Sequence, residues 1–168
     1  MKNIEAYIGL GSNLENPAHQ IKTAIEELDQ KQHTQVLAVS SFYQSPPMGP
    51  SDQPDYINAA VKIQTWLSPF QLLELTQSIE RSHGRVPTET WGPRVIDLDI
   101  LLYGRLSLHT DSLIIPHVGI KNRDFVLKPL LDLEPQLQLP CGSKVELLFS
   151  TLRNVNLTKI DDEQLSGR

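Results

Sequence analysis

The sequence predicts an α+β fold, in which a mixed or antiparallel sheet is flanked by helices in a three-layer α/β/α sandwich. Three observations lead to this prediction. Four segments are rich in β-branched and aromatic residues, and two others carry apolar residues at helical spacing. Their order is strand, helix, strand, strand, helix, strand, which is the ferredoxin-like order. No linker or repeat divides the 168 residues, so we expect one domain over residues 1–160 and a frayed tail at 161–168.

The four strands and two helices of this order each have a local signal. The predicted strands are residues 4–11, 34–43, 56–66 and 95–104. Pro17 suits the first position of a helix that runs to about residue 31. Ser68 is a candidate N-cap for the second helix, with Gln71 completing a capping box. Gly84 is well placed to end that helix.

The remaining elements follow the fourth strand or connect the first six elements. Four prolines and a glycine make residues 45–55 a stiff loop, and 85–94 is a second loop. We expect short strands between 106 and 116 and a helix over about 124–134 with Asp124 as its cap. Weaker patterns predict a helix near 143–152 and a last strand at 155–160.

Composition excludes several functional classes. A net charge of −5 argues against a broad nucleic-acid surface. No apolar run approaches the length of a membrane span, and the N-terminus lacks the pattern of a secretory signal. Cys141 is the single cysteine, which rules out an internal disulfide and fits a reducing compartment. We therefore expect a cytoplasmic protein without nucleic-acid or membrane partners.

Two aspartates, Asp97 and Asp99, lie inside an apolar run that predicts a buried strand. Alternate residues of a strand face the same side, so both carboxylates lie together, and burying such a pair is costly. A Mg²⁺ ion bound by carboxylates, waters and substrate phosphate is one solution; a solvated edge strand is the alternative. Five of the seven arginines surround the pair, namely Arg81, Arg85, Arg94, Arg105 and Arg123. This clustering favours a small anion that carries metal.

Other polar and aromatic residues allow both a binding and a structural interpretation. Asn58 could bind a flat heterocycle through its amide or simply complete a turn. Tyr56, Trp91 and Phe125 could stack on such a ring or belong to the core. His117 could donate to phosphate or serve only the fold. The chain has no glycine-rich phosphate loop, so any ATP is held by arginines and metal.

Four segments, taken together, closely resemble the hydroxymethyldihydropterin pyrophosphokinases of folate biosynthesis. They are YIGLGSNL, SSFYQSPPMGPSDQPDYINAAV, WGPRVIDLDILLYG and IPHVGIKNRDFVLKPL, in order between about residues 7 and 131. The resemblance implies an ATP-dependent diphosphotransferase. Such an enzyme moves the β,γ-diphosphate of ATP to the hydroxymethyl group of 6-hydroxymethyl-7,8-dihydropterin and releases AMP. ATP is then a co-substrate, two Mg²⁺ ions are cofactors, and we expect a monomer whose partners are these small molecules.

The resemblance also implies roles for individual residues. The metal ligands are Asp97 and Asp99, so that the metals balance the buried pair, and Asp97 is the nearest candidate general base. The catalytic residues are Arg85, Arg94, Asp97 and Asp99. The ATP-binding residues are Gln77, Glu80, Arg85, Trp91, Arg94, Ile100, His117 and Arg123. The pterin-binding residues are Ser45, Pro46, Met48, Tyr56, Asn58, Trp91 and Phe125, with Tyr56 and Phe125 enclosing the ring.

The chain departs from the family pattern at a few positions, and two other functions compete with this one. The 85–94 loop is one residue shorter, and Pro87, Ser112, Ile114 and Val118 replace residues that the family pattern associates with nucleotide contact. A different DxD-dependent nucleotidyl or glycosyl transferase would use the same carboxylates without the Tyr56–Asn58 pocket. A nucleotide- or pterin-binding module without turnover is the second rival. A purely structural α+β domain leaves the clustered arginines unexplained.

Overall fold

A computed structural model describes residues 3–14, 16–46, 54–84 and 96–161. The strands are β1 (Ile4–Ser12), β2 (Thr34–Val39), β3 (Tyr43–Ser45), β4 (Tyr56–Thr65), β5 (Asp97–Tyr103), β6 (Leu108–His109), β7 (Ile114–Ile115) and β8 (Thr158–Lys159). The helices are α1 (Pro17–Gln30), α2 (Pro69–Ser82), α3 (Asp124–Leu133) and α4 (Val145–Ser150). None of these helices is long and apolar enough to cross a membrane.

The main sheet is antiparallel and has the predicted ferredoxin-like order. β5 pairs with β1, and β1 pairs with β4. β2 and β3 both pair with β4, and β8 extends the sheet beyond β3. A separate two-stranded ladder joins β6 and β7, within the segment predicted to form short strands. The α+β prediction is therefore confirmed, with an antiparallel rather than a mixed sheet.

The predicted strand 34–43 is two strands, separated at Ser40, and this is a correction. Ser40 keeps its pairing with Ala60, because its N–H donates to the Ala60 carbonyl at 2.9 Å. Its hydroxyl oxygen also accepts a hydrogen bond from the Ala60 N–H at 2.8 Å. A side chain that occupies a ladder position interrupts the regular pairing, which resumes in β3.

Two hydrophobic clusters, one on each face of the sheet, form the core. α1 and α2 cover the first cluster, which includes Ile21, Leu72, Leu98 and Ile100. α3 and α4 cover the second, which includes Leu101, Leu102, Leu127 and Leu130. Leu101 and Leu102 face the same side because the β1–β5 register shifts between Tyr7 and Ile8, and such a bulge places an extra residue in one strand.

The predicted caps of α2 are correct, whereas the predicted N-cap of α3 is wrong, although its bounds agree with the predicted 124–134. Ser68 and Gln71 form the expected capping box, and Gly84 follows α2 with a φ of 85°. Arg123, not Asp124, holds the N-cap position of α3. Asp124 is the first helical residue, where its carboxylate accepts the Phe125 N–H at 2.8 Å. The limits of the domain at residue 160 stay a prediction, since residues 162–168 lie outside the described ranges.

Candidate functional site

Residues of β5, β1 and β4 form the floor of the candidate site, on the face of the sheet that α3 covers. Gly11 of β1 pairs with Asp97 of β5 on one side and with Asn58 of β4 on the other. Gly9, two residues earlier in β1, pairs with Asp99 of β5. Neighbouring strands lie about 4.8 Å apart, so the Cα atoms of Asp97 and Asn58 are separated by about 10 Å. The predicted metal and pterin residues therefore share one surface.

Gly11 keeps the space between these two groups open. A Cβ at this position would lie 3.1 Å from Asn58 Oδ1 and 3.9 Å from Tyr56 Cδ1. The first distance is shorter than an ordinary van der Waals contact between carbon and oxygen. A side chain on Gly11 would therefore displace the Asn58 amide.

The two aspartates are less buried than the sequence suggested, and the expectation of a buried pair is wrong. Asp97 is half-buried, and the Asp99 side chain is 53% exposed. The alternation of the strand holds, because Leu98 and Ile100 between and beyond them are buried on the other face. β5 pairs only with β1 among the described strands, so the pair lies near an edge of the sheet where water reaches it.

His117 lies beside Asp99, with its Nε2 atom 3.8 Å from Asp99 Oδ2. Burial, and secondarily the positive charge of Arg123, lower the pKa of His117 below its usual value. Both effects favour the neutral form of the ring. Its Nδ1 accepts the Gly119 N–H at 3.1 Å, which leaves the ring proton on Nε2. His117 thus directs an N–H donor toward the aspartate pair.

Arg123 and Phe125 lie at the start of α3, and Gly119 sets the position of the arginine. A Cβ on Gly119 would lie 2.4 Å from Arg123 Nε, so only glycine lets the guanidinium lie against this turn. The Arg123 Cζ is 5.8 Å from the centroid of the Phe125 ring, over its face, which is a cation–π distance. The predicted nucleotide and pterin residues meet at this helix start.

Asn58 and Ser45 form a buried polar pair between β4 and β3. Asn58 Nδ2 donates to Ser45 Oγ at 2.7 Å, and Asn58 is only 6% exposed. Tyr56 pairs with Ser45 in the ladder and is partly buried, while Pro46 is exposed. The hydrogen bond holds the Asn58 amide in one orientation, with Oδ1 toward the space above Gly11.

The predicted ATP-binding residues do not all lie on this face. Glu80 of α2 is buried and accepts the Leu98 N–H at 2.9 Å, and Gln77 is exposed on the same helix. The Ile100 side chain belongs to the α1–α2 core cluster, which excludes it from the aspartate face. The Leu98 N–H points away from β1, toward Glu80. Residues i and i+2 of a strand direct their backbone groups to the same side, so the N–H and C=O of Ile100 also point to the outer edge of β5. Only the backbone of Ile100 is therefore placed for contact.

Several predicted residues lie outside the described part of the chain. They are Met48, Arg85, Trp91 and Arg94 of the site, together with Pro87. Among the other departures from the family pattern, Ser112 and Val118 are exposed and Ile114 lies in β7. The roles of all these residues stay predictions.

Sequence reasoning missed Gly11 and Gly119 as determinants of the site. The spacing of Gly9 and Gly11 is a usable signal, because glycines at i and i+2 in a strand leave one face bare. Opposite an Asp-x-Asp strand, that bare face marks room for a ligand. Gly119 carries no comparable signal, since its contact with Arg123 depends on the turn that follows β7.

The donor set at the aspartates fits Mg²⁺ rather than a metal enclosed by protein. No group of three or more His, Cys, Asp or Glu side chains in the described ranges could hold a metal ion. Mg²⁺ commonly binds one or two carboxylates and completes its shell with water and substrate phosphates. Asp97 and Asp99, on one open face, supply that number of carboxylates.

Comparison with known proteins identifies the family of this chain. The family model for 7,8-dihydro-6-hydroxymethylpterin-pyrophosphokinase (HPPK) matches residues 7–135. A Haemophilus influenzae protein named 2-amino-4-hydroxy-6-hydroxymethyldihydropteridine pyrophosphokinase is 44% identical over 158 residues, which are 94% of this chain and 99% of the relative. A Bacillus subtilis protein of the same name is 46% identical over 138 residues, 82% of each chain.

A solved structure shows the same fold. The crystal structure of wild-type Plasmodium falciparum HPPK-DHPS with pteroate superposes with a TM-score of 0.71 at 16% identity. The match covers 89% of this chain and 42% of that one, so this chain spans less than half of that protein. The family resemblance drawn from the sequence motifs is confirmed by the family model and the two relatives. The chain belongs to the 7,8-dihydro-6-hydroxymethylpterin-pyrophosphokinase family.

Proposed function

We propose that this chain transfers the β,γ-diphosphate of ATP to the hydroxymethyl group of 6-hydroxymethyl-7,8-dihydropterin, a step of folate biosynthesis that releases AMP. Family membership over residues 7–135 supports the reaction. The structural observation that carries the proposal is the pairing of Gly11 with both Asp97 and Asn58. It brings a carboxylate site for phosphate-bound metal and an amide site for a heterocycle onto one face, about 10 Å apart.

The pterin lies between β4, β3 and the start of α3. Tyr56 and Phe125 enclose the ring, and stacking on both faces gives most of the contact area. Asn58 binds the polar edge of the ring, and its bond to Ser45 orients the amide before the substrate arrives. Pro46, with Met48 and Trp91 from outside the described ranges, completes the pocket.

The nucleotide phosphates lie between the aspartates and the basic side chains. His117 Nε2–H donates to a phosphate oxygen, and Arg123 adds a permanent positive charge beside it. Arg85 and Arg94 stabilise the charge that develops on the transferred group. Gln77, Glu80 and the backbone of Ile100 bind the nucleoside along the outer edge of β5.

Asp97 and Asp99 would hold Mg²⁺, with two ions as the proposed number. When bound, the metal neutralises phosphate charge and lowers the pKa of the attacking hydroxyl. Asp97 is the candidate acceptor for the proton of that hydroxyl, and its pairing with Gly11, which also pairs with Asn58, supports this choice. The monomeric state and the cytoplasmic location stay predictions.

A product assay tests the proposal. The protein is mixed with ATP, Mg²⁺ and hydroxymethyldihydropterin, and the nucleotides are separated by chromatography. AMP that forms only with the pterin present, and not after chelation of the metal, supports diphosphate transfer. ADP would indicate transfer of a single phosphoryl group and refute the proposal. No nucleotide change while the pterin still binds would indicate a binding module.

A further inference from the structure

The C-terminal segment 154–161, which we name the strap, contacts the two elements that flank the proposed pterin pocket. It lies beyond the region matched by the family model, which ends at residue 135. Its side chains are mostly exposed, and only Leu157 and Ile160 are half-buried. Hydrophobic burial therefore accounts for little of its attachment. Backbone hydrogen bonds attach both of its ends.

One end of the strap is attached to the first turn of α3. The Asn156 N–H donates to Asp124 Oδ2 at 2.8 Å. The other oxygen of the same carboxylate accepts the Phe125 N–H, also at 2.8 Å. A single side chain thus joins the strap to the residue whose ring forms one wall of the pocket.

The other end of the strap is attached to β3. Thr158 pairs with Gln44 and Lys159 with Tyr43, and the Ile160 N–H donates to the Phe42 carbonyl at 2.9 Å. Hydrogen-bonded pairs alternate along an antiparallel ladder. Ile160 and Phe42 form one hydrogen-bonded pair, so Thr158 and Gln44 form the next one. The N–H of Lys159, which lies between them, points away from β3.

The strap ties the two walls of the pocket together over a short length of chain. Gln44 precedes Ser45, the partner of Asn58, and its side chain donates to Asp55 Oδ2 at 3.0 Å. Asn156 and Thr158 are two residues apart, and two residues of extended chain span at most about 7 Å. A flat ring stacked on both faces at about 3.5 Å needs a similar gap.

We propose that the strap is a positioning element for the pterin pocket, which holds the start of α3 at a fixed separation from β3 and β4. This proposal rests on the proposed function, because it assigns the pocket to the pterin. The strap then governs affinity for the pterin. The aspartates of the phosphate site, Asp97 and Asp99, lie on β5, which is three strands away from β3 in the sheet. Of the proposed phosphate ligands in the described ranges, only Arg123 lies at the start of α3, so we expect a much smaller effect on nucleotide affinity than on pterin affinity.

Two proline variants test the strap with a matched control. Thr158→Pro removes an N–H that bonds to β3, whereas Lys159→Pro changes the next residue and keeps both ladder bonds. We expect KM for the pterin to rise about fivefold in Thr158→Pro. This is the rise expected when the pocket adopts its pterin-binding conformation in only about a fifth of the molecules. KM for ATP and kcat at saturation stay within about twofold in both variants, and Lys159→Pro keeps the wild-type KM for the pterin.

A second variant covers the other attachment and guards against a folding defect. Asn156→Pro removes the donor to Asp124, and we expect the same selective rise in KM for the pterin. Circular dichroism and thermal unfolding establish that each variant is folded; if Thr158→Pro is not, Asn156→Pro decides. Equal pterin KM in the folded variants and the control, or equal rises for ATP and pterin, would overturn the strap proposal. Wild-type protein without pterin-dependent AMP would instead overturn the proposed function.

Discussion

Replacing Gly11 with alanine should weaken pterin binding and leave ATP binding unchanged. The added methyl group would lie 3.1 Å from Asn58 Oδ1, so the amide has to move by a few tenths of an ångström. It cannot move freely, because its nitrogen donates to Ser45 Oγ at 2.7 Å and the side chain is buried. Gly11 is not among the residues with positive φ, so the backbone accepts alanine and the effect is local.

The size of the effect follows from the hydrogen bond at risk. A displaced amide loses one hydrogen bond to the pterin, which contributes about 1–1.5 kcal/mol. Each 1.4 kcal/mol is about a factor of ten in affinity. We therefore expect KM for the pterin to rise about five- to twelvefold, and the folded state to lose about 1 kcal/mol or more from crowding.

Gly9→Ala is the matched control for this substitution. It adds the same methyl group to the same strand, but the nearest atom is Cδ1 of the buried Leu101 at 3.2 Å, which is an apolar core residue and not one of the proposed pterin ligands. The assay measures AMP formation while the pterin and ATP concentrations are varied separately. Wild-type KM for the pterin in Gly11→Ala would refute the reasoning, and so would an equal rise in Gly9→Ala.

Three further changes have defined outcomes. Asp97→Ala should abolish AMP formation while circular dichroism and thermal unfolding stay near wild type; retained turnover, or an unfolded protein, contradicts its role. Gly119→Ala places a methyl group 2.4 Å from Arg123 Nε, so KM for ATP should rise while KM for the pterin does not; an unchanged ATP KM would argue against Arg123 as a phosphate ligand. Chelating the metal should stop the reaction without lowering the melting temperature of the ligand-free protein, and a fall of several degrees would show that the ion supports the fold.

The fold followed from sequence because each of its signals is local. Pro17, the Ser68–Gln71 capping box and Gly84 mark helix ends through their own backbone chemistry, and the structure has these ends. The break at Ser40 could not be predicted, because it depends on a hydroxyl that bonds to Ala60 on another strand. The N-cap of α3 was misplaced by one residue for a related reason. Asp124 is an ordinary capping residue, but its carboxylate is drawn to Asn156, 32 residues away.

The candidate site was predictable where strand alternation decides it, and less so across elements. The common face of Asp97 and Asp99 follows from their spacing. The position of Asn58 two strands away depends on register, which no short motif reveals. The family resemblance placed Ile100 among the nucleotide residues, but it could not tell that only its backbone reaches the edge. That distinction follows from the hydrogen bond between Leu98 and Glu80, which shows that Leu98 and Ile100 direct their backbone groups to the outer edge of β5.

The exposure of the aspartates changes how their charge is balanced. Side chains at i and i+2 of a strand lie about 7 Å apart, and two unit charges at that distance in water repel by only about 0.6 kcal/mol. The pair does not require a metal in order to be tolerated, because Asp99 is 53% exposed and β5 is an edge strand among those described. Solvent screens part of this repulsion, and a metal would bind fully only when substrate phosphates complete its coordination. An ion bound by two water-facing carboxylates can therefore arrive with the nucleotide, which is what a site that must also release its product requires.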